Sequence, residues 1–317
     1  MDTTVLGRTG LRVSVACLGT GGHSMLGQAY GNTFEESANV VRAAIDEGVN
    51  FIDTAAAYGT EEIVGAAIKG RRDGLVISTK NHMVRKGTSF TGHDFITGAE
   101  YAKLLDSTLT RLGTDRIDIL HVHGIVAHQY DYCVAEIVPV LENLRAQGKI
   151  GYTAISERFY QEPGHDLLER VVHDDYFDVM MVGLNFMNHT ALRHVVPAAK
   201  AKGVGVQGIY AVRGKLATRE AAQELISESV ALGEIDPGDL DPEPLGFLTA
   251  DGVAGSIVEA CYRYNRYAPG IDTTLTGTGR VGHLRENLAA LSKPPLPRHV
   301  LDKIERIFGR VETVTGE

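Results

Sequence analysis

The sequence predicts a closed barrel of eight parallel strands, each followed by a helix, with a short β-hairpin before the first strand. Strand-like and helix-like segments alternate eight times along 317 residues, and parallel neighbours need such crossover helices. Polar residues recur at the carboxyl ends of the predicted strands, where barrel enzymes build their sites. The glycine-rich turn of an open doubly wound sheet is missing. We therefore predict one (β/α)8 TIM barrel domain over residues 1–317.

The elements follow in order along the chain. Residues 3–14 read as a hairpin with Thr9-Gly10 at its turn, placed to close the bottom of the barrel. The predicted strands are Val15–Gly19, Asn50–Thr54, Leu75–Lys80, Ile117–His123, Ile150–Ser156, Val179–Asn185, Val204–Tyr210 and Thr273–Gly277. The predicted helices are 34–48, 60–69, 97–112, 134–147, 164–173, 190–202, 253–265 and 283–291, four of which end at a glycine.

One connection is too long for the repeat. Residues 212–252 carry an acidic, proline-rich patch (234–244) and exceed an ordinary strand-to-helix loop. Long loops at a catalytic face set specificity or act as lids, and we expect one of these roles here.

Composition excludes several classes of function. The balance of 31 basic against 40 acidic residues leaves no basic cluster for a nucleic acid partner. No apolar run is long enough to cross a membrane, and the N-terminus lacks the pattern of a secretory signal. Three distant cysteines fit reduced thiols in a cytoplasmic protein and no metal site. The oligomeric state is not predicted.

The glycines after the first strand do not make a dinucleotide fingerprint. LGTGG (18–22) lacks the G-x-G-x-x-G spacing that opens a helix in doubly wound sheets. A tight turn is the more common role for such a cluster, so the open sheet is the less favoured alternative.

Four residues at or near the predicted strand ends suit carbonyl chemistry. Asp53 and Tyr58 lie in FIDTAAAYG (51–59), Lys80 ends VISTK and His123 ends DILHVH. A tyrosine has a pKa near ~10, and a neighbouring ammonium lowers it, while an aspartate fixes the lysine. We predict that Tyr58 donates a proton, worth on the order of 10²–10⁴ in rate, and that His123 orients the carbonyl. Because no side chain can supply a hydride, a nicotinamide cofactor is implied.

The chain resembles the aldo-keto reductases from about residue 6 to residue 291. The resemblance is carried by LGRTGLRVSVACLGT, FIDTAAAYG, STK, RLGTDRIDILHVH, GKIGYTAIS and TGTGRVGHLREN. It implies that Tyr58 is the proton donor, that Lys80 and Asp53 together adjust the pKa of Tyr58, and that His123 orients the carbonyl. His121 stands where that family is normally apolar, and we expect it to be a barrel-core residue.

The resemblance also implies a cofactor site at the same end of the barrel. Its expected residues are Gly19, Thr20, Gly21, Asp53, Ser156, Glu157, Met181, Tyr210, Val212, Gly214, Gly277, Thr278, Gly279, Arg280, His283, Glu286 and Asn287. Glu157 replaces the usual Asn, Met181 the usual Gln, and His283 an Arg common in members that prefer NADPH. Arg280 and Thr278 are then the expected ligands of a 2′-phosphate, so NADP(H) is favoured modestly over NAD(H).

The substrate prediction rests on polar residues of the loops. Besides Tyr58 and His123, we expect His23 and Arg158 to contact substrate, with His82 and His128 on the same face and Phe159 as the aromatic wall. These residues favour a polar, sugar-like small-molecule carbonyl. Three functions remain open: reduction of an aldehyde or ketone, oxidation of a sugar or alcohol by the same site, and a nicotinamide-binding redox sensor without useful turnover.

Overall fold

The computed structural model describes residues 1–317 and shows the predicted closed barrel. Ten strands are present: β1 (Thr3–Val5), β2 (Arg12–Ser14), β3 (Ala16–Gly19), β4 (Phe51–Asp53), β5 (Val76–Asn81), β6 (Ile117–Ile125), β7 (Ile150–Glu157), β8 (Val179–Gly183), β9 (Gly205–Ile209) and β10 (Thr273–Thr276). Strands β3 to β10 pair in parallel and in chain order, and β10 closes the barrel against β3. The predicted fold and the predicted strand positions are confirmed.

Helices surround the barrel. They are α1 (Phe34–Asp46), α2 (Glu61–Ile68), α3 (Gly98–Leu112), α4 (Tyr130–Tyr132), α5 (Val138–Ala146), α6 (Asp166–Val171), α7 (Ala191–His194), α8 (Val196–Ala201), α9 (Arg219–Ala231), α10 (Ile257–Tyr267), α11 (Val281–Ser292) and α12 (Arg298–Phe308). A π-helical turn, Cys133–Ile137, joins α4 to α5. No helix has both the length and the apolar character that a membrane span requires.

Besides the single turn α4, two helices were not among the predicted elements. The connection 212–252 contains α9, which buries Leu225 and Ile226, followed by three short 3₁₀ turns. After the eighth unit the chain continues into α12, whose buried residues lie on one side. The long connection is therefore an additional helical layer rather than an irregular loop.

Threonines set the start of two barrel helices. Thr33 precedes α1 and exchanges side-chain and backbone hydrogen bonds with Glu36, and Thr97 does the same with Glu100 before α3. Each arrangement is a capping box, which satisfies amides that the first turn leaves without partners. Loss of such a cap costs about 1 kcal/mol.

The N-terminal hairpin closes one end of the barrel, as predicted. Leu6 and Val13 pack in one buried cluster with a residue from each of six barrel strands, namely Cys17, Phe51, Val76, Ile119, Ala154 and Val179. A Cβ on Gly7, whose φ is +46°, would lie 2.3 Å from the backbone nitrogen of Gly205, so only glycine fits this contact. With the bottom sealed, the open end lies at the carboxyl ends of the strands.

Candidate active site

An ion pair at the ends of β4 and β5 forms the buried base of the site. The ammonium of Lys80 donates to Oδ2 of Asp53 and, at 2.9 Å, to the carbonyl oxygen of Thr54. The hydroxyl of Ser78 donates to Oδ1 of Asp53 at 2.6 Å. Both charged residues are 1% exposed. Strand register explains the contact, because Asp53 pairs with Ser78 across the parallel ladder and Lys80 lies two residues further on the same face.

Tyr58 lies directly above this pair. It ends a 3₁₀ turn, Ala56–Tyr58, that follows β4. The Lys80 Nζ atom lies 5.2 Å from the centroid of the phenol ring, and Nε2 of His123 lies 3.5 Å from the phenol oxygen. Gly21 allows the ring its position, since a Cβ there would lie 2.5 Å from the ring. The structure thus brings the four predicted catalytic residues together.

A bulge in β6 aims His123 into the opening. Pairing of β6 with β7 shifts register between Val122 and Ile125, and Gly124 in this stretch has a φ of +54°. The amide of Gly124 donates to the hydroxyl oxygen of Ser156 at 2.8 Å. Ser156 therefore supports the backbone beside His123 as well as lining the opening.

Burial and neighbouring charges fix the protonation of the pair and of the histidine. Burial raises the pKa of Asp53, while Lys80 and Ser78 pull it down. Burial opposes the charge on Lys80, but Asp53 and Tyr58 outweigh it, so the pKa of Lys80 is raised and the ammonium is retained. Burial, then His82, Lys80 and Arg158, hold the pKa of His123 well below its ordinary value. A neutral imidazole offers one N–H donor rather than a positive charge.

The ring of a second histidine, His82, packs against the ring of His123. The rings of His82 and His123 stack with centroids 4.1 Å apart, and Nδ1 of His82 lies 3.0 Å from the carbonyl oxygen of His123. Phe90 covers the other side of His82, with centroids 4.9 Å apart. Burial, then the charge of Arg158, lowers the pKa of His82 to about 4. The stack holds the imidazole of His123 in place.

A cleft of about 1210 Å³ opens above these residues. Almost all of the residues expected to hold a cofactor line it, namely Gly19, Gly21, Asp53, Ser156, Glu157, Met181, Tyr210, Val212, Gly214, Gly277, Thr278, Gly279, Arg280, His283, Glu286 and Asn287. The cleft runs from Tyr58 to the first turn of α11. No side chain caps that helix, and Arg280 at its start forms no ion pair. An extended anionic dinucleotide fits these features.

Thr20 is an exception among the expected cofactor residues. It is fully buried, and its hydroxyl lies 2.9 Å from that of Thr60, so its side chain does not reach the cleft. The alternation of side chains along an extended chain is the reason, because Gly19 and Gly21 face the opening and Thr20 faces away.

Glu157 has a structural environment that the sequence did not indicate. Its carboxylate accepts from the amide of Gly183 at 2.7 Å and from Nδ1 of His165 at 2.9 Å. Both side chains of the Glu157–His165 pair are 0% exposed. The acidic group therefore ties the ends of β7 and β8 together rather than pointing into the cleft.

Tyr210 has a strained backbone at the end of β9. Its φ is +65°, a region that non-glycine residues rarely adopt. The Arg213 guanidinium carbon lies 4.8 Å from the Tyr210 ring centroid, and Arg213 pairs with Glu317 at 2.7 Å. Arg213 lines the cleft and was not among the predicted residues. Its ion-pair partner, Glu317, is over a hundred positions away in the sequence, so no local pattern indicated the contact.

The predicted substrate residues divide into two groups. His23 and Arg158 line the cleft together with Tyr58 and His123. His128 does not; its ring nitrogen lies 2.9 Å from the carbonyl oxygen of Thr91. The predicted aromatic wall is wrong. Phe159 is fully buried and stacks on His165, and Tyr160 lines the cleft instead.

Comparisons with known proteins agree with this geometry. The model of the aldo/keto reductase family matches residues 17–308. L-galactose dehydrogenase of Arabidopsis thaliana is 27% identical over 99% of this chain and 97% of its own. D-threo-aldose 1-dehydrogenase of a Pseudomonas species is 30% identical over 54% of this chain and 58% of its own. Aldo-keto reductase AKR11C1 from Bacillus halodurans, in its holo form, superimposes with a TM-score of 0.74 at 20% identity over all of both chains, which supports the fold.

The family match to this barrel places the protein in the class of nicotinamide-dependent oxidoreductases. The family match extends over nearly the whole length of the barrel. The chain belongs to the aldo/keto reductase family and is an NAD(P)H-dependent oxidoreductase.

Proposed function

We propose that the protein interconverts a polar, sugar-like carbonyl compound and the corresponding alcohol, with Tyr58 as the proton donor in reduction. The observation that carries the proposal is the convergence of Tyr58, the Asp53–Lys80 pair and His123 at the base of one cleft. The similarity to two sugar dehydrogenases supports the sugar-like substrate.

The residues of this chain account for the proton transfer in the reaction. A bound nicotinamide cofactor supplies or accepts the hydride. In reduction the carbonyl π bond breaks, the carbon gains the hydride, and the oxygen takes the proton of the Tyr58 hydroxyl. The Lys80 ammonium stabilises the phenolate left behind, and Asp53 holds that ammonium in place. The single N–H of a neutral His123 binds the carbonyl oxygen beside Tyr58.

The residues proposed to hold the cofactor lie along the rest of the cleft. Ser156, Met181 and Tyr210 surround the end next to Tyr58, and Gly277, Thr278 and Arg280 the far end. A Cβ on Gly279 would lie 2.3 Å from the Cα of Gly27, so this part of the wall is closely packed glycine backbone. Arg280 and the uncapped first turn of α11 would favour a 2′-phosphate, which is why we propose NADP(H) over NAD(H).

Physiological direction is the second part of the proposal. The same site catalyses both directions, and the two similar dehydrogenases favour oxidation as the alternative to reduction. The relative affinities for oxidised and reduced cofactor decide between them.

The test is a turnover assay in both directions. Purified protein is mixed with NADPH or NADH and a panel of aldoses, aldehydes and ketones, and with NADP⁺ or NAD⁺ and the matching alcohols and sugars. We expect a change in nicotinamide absorbance with at least one polar carbonyl and a smaller response to apolar aldehydes. Tight cofactor binding without turnover on any compound would contradict the proposal and favour the redox-sensing alternative.

A further inference from the structure

Arg158 is the buried cation of the cleft that lacks an ion pair; Arg280 also lacks one but is exposed at the start of α11. Lys80 pairs with Asp53, Arg213 with Glu317, and Lys293 with Glu259. Arg158 lies in no ion pair, although it is only 9% exposed and lines the cleft beside Tyr58 and His123. A buried charge without a counter-charge is costly, and a guanidinium cannot lose its proton to avoid that cost.

The surroundings of Arg158 hold it in place without neutralising it. Its Nη1 atom donates to the hydroxyl of Tyr160 at 2.6 Å, and its guanidinium carbon lies 4.6 Å from the centroid of the Phe90 ring. Its Nε atom is buried and has no hydrogen-bond partner. The partners are aromatic rings and a neutral hydroxyl, so the positive charge remains available to an anion.

Arg158 also acts electrostatically on the catalytic histidine. Its charge lowers the pKa of His82, after burial, and contributes to lowering that of His123. Its guanidinium also packs against Gly124, the residue after His123, where a Cβ would lie 3.5 Å from Nη2 of Arg158. An anion bound at Arg158 would therefore lie close to the carbonyl site rather than at the far end of the cleft. A substrate that carries its negative charge a few bonds from its carbonyl group meets this geometry.

We propose that Arg158 is a substrate-binding residue for a carboxylate and that the preferred substrate is an acidic carbonyl compound, such as a uronic acid or another oxo acid, rather than a neutral aldose. The inference rests on the proposed function and adds the substrate class. Guanidinium groups bind carboxylates through charge-assisted hydrogen bonds, and no carboxylate of this chain pairs with Arg158. The hydride and proton transfers stay as described above.

The experiment compares sugars that differ only at C6. D-glucose and D-glucuronate present the same aldehyde, and D-galactose and D-galacturonate form a second such pair. We expect kcat/KM to favour the uronate by about 10- to 100-fold, the range for a hydrogen bond to a charged group. In Arg158→Gln the ratio of uronate to aldose should fall by a similar factor, whereas Arg213→Gln, which removes an already paired cation, should keep the ratio.

A binding measurement separates this inference from the proposed function. Methyl β-D-glucuronide carries the C6 carboxylate but has no free aldehyde, and its binding to the protein with bound cofactor is measured by calorimetry. We expect binding to the native protein, a loss of at least tenfold in affinity in Arg158→Gln, and partial recovery in Arg158→Lys. This result would support the carboxylate site even if no carbonyl were turned over.

Three outcomes would overturn the inference. The native protein would show no preference for uronates, or methyl β-D-glucuronide would bind equally well to the native protein and Arg158→Gln, or the Arg158→Gln change would weaken NADPH binding instead. The last outcome would assign Arg158 to a cofactor anion.

Discussion

The buried pair of Asp53 and Lys80 makes a strong prediction about stability as well as activity. In Lys80→Met the Asp53 carboxylate stays 1% exposed and loses its cation and one hydrogen bond, keeping only that from Ser78. Removing one partner of a buried pair costs about 3–5 kcal/mol because the remaining charge is uncompensated. We expect the free energy of unfolding to fall by that amount and kcat to fall by about 10²–10⁴.

An exposed pair offers a matched control. Lys149 pairs with Asp106 at 2.7 Å, with side chains 36% and 58% exposed. The same change, Lys149→Met, should cost about 0–1 kcal/mol. The chain contains no tryptophan, so urea unfolding is followed by far-ultraviolet circular dichroism.

The double variant tests the cause of the loss. Asp53→Asn together with Lys80→Met removes both charges, and its cost should be smaller than the sum of the single costs by about 2 kcal/mol. Additive costs, or a Lys80→Met variant as stable as Lys149→Met, would refute the view that the two charges stabilise each other. Activity should stay low in the double variant, because the ammonium is still missing.

Three further predictions concern pH, cofactor and packing. The pKa of His82 is lowered from 6.5 to about 4, so its contribution to stability is present above pH 6.5 and is lost as the pH falls towards 4. The loss is about 3 kcal/mol, and His82→Gln should flatten the pH dependence of urea unfolding over that range. Arg280→Gln should weaken the binding of NADPH about 10- to 100-fold and leave the binding of NADH unchanged, as measured by fluorescence titration. The control Arg285→Gln, outside the cleft, should change neither affinity. An equal loss of affinity for both cofactors would contradict a 2′-phosphate contact. Glu157→Gln should lower the free energy of unfolding by about 1–3 kcal/mol and change the cofactor affinity less than threefold. A tenfold change in cofactor affinity would instead identify Glu157 as a cofactor ligand.

The barrel could be predicted because its signals are local. Each strand is a short apolar run with a polar residue near its carboxyl end, and Asp53, Lys80 and His123 all lie there. Since side chains alternate along a strand, Val76 lies on the same face of β5 as Lys80, and it packs with Ile119 in the cluster under the hairpin. The positions of Asp53, Lys80 and His123 follow from strand order, and that of Tyr58 from the turn after β4.

The two unpredicted helices also carry local signals. In α9 the buried residues Ala222, Leu225, Ile226 and Ser229 follow helical spacing, as do Val300, Ile304, Ile307 and Phe308 in α12. The eightfold repeat requires neither helix, and the acidic patch of 234–244 made the surrounding connection look irregular.

Other features of the site depend on contacts that no local pattern encodes. The resemblance predicts that Glu157 contacts the cofactor, yet its partners are His165 and the amide of Gly183 on a different strand. The stack of His82 on His123 joins the loop after β5 to strand β6. The lack of a counter-charge at Arg158 appears only when every neighbour is placed. Such pairings are properties of the folded chain.

The most direct test of the proposed chemistry is the single-turnover rate of hydride transfer in Tyr58→Phe, measured by stopped flow at saturating cofactor and the best carbonyl substrate. Single turnover isolates the chemical step from product release. We predict a rate at least 100-fold below that of the native protein, with cofactor affinity within threefold, while Tyr176→Phe, at an exposed tyrosine outside the cleft, is unaffected. A Tyr58→Phe rate within threefold of the native value would contradict the assignment of Tyr58 as the proton donor.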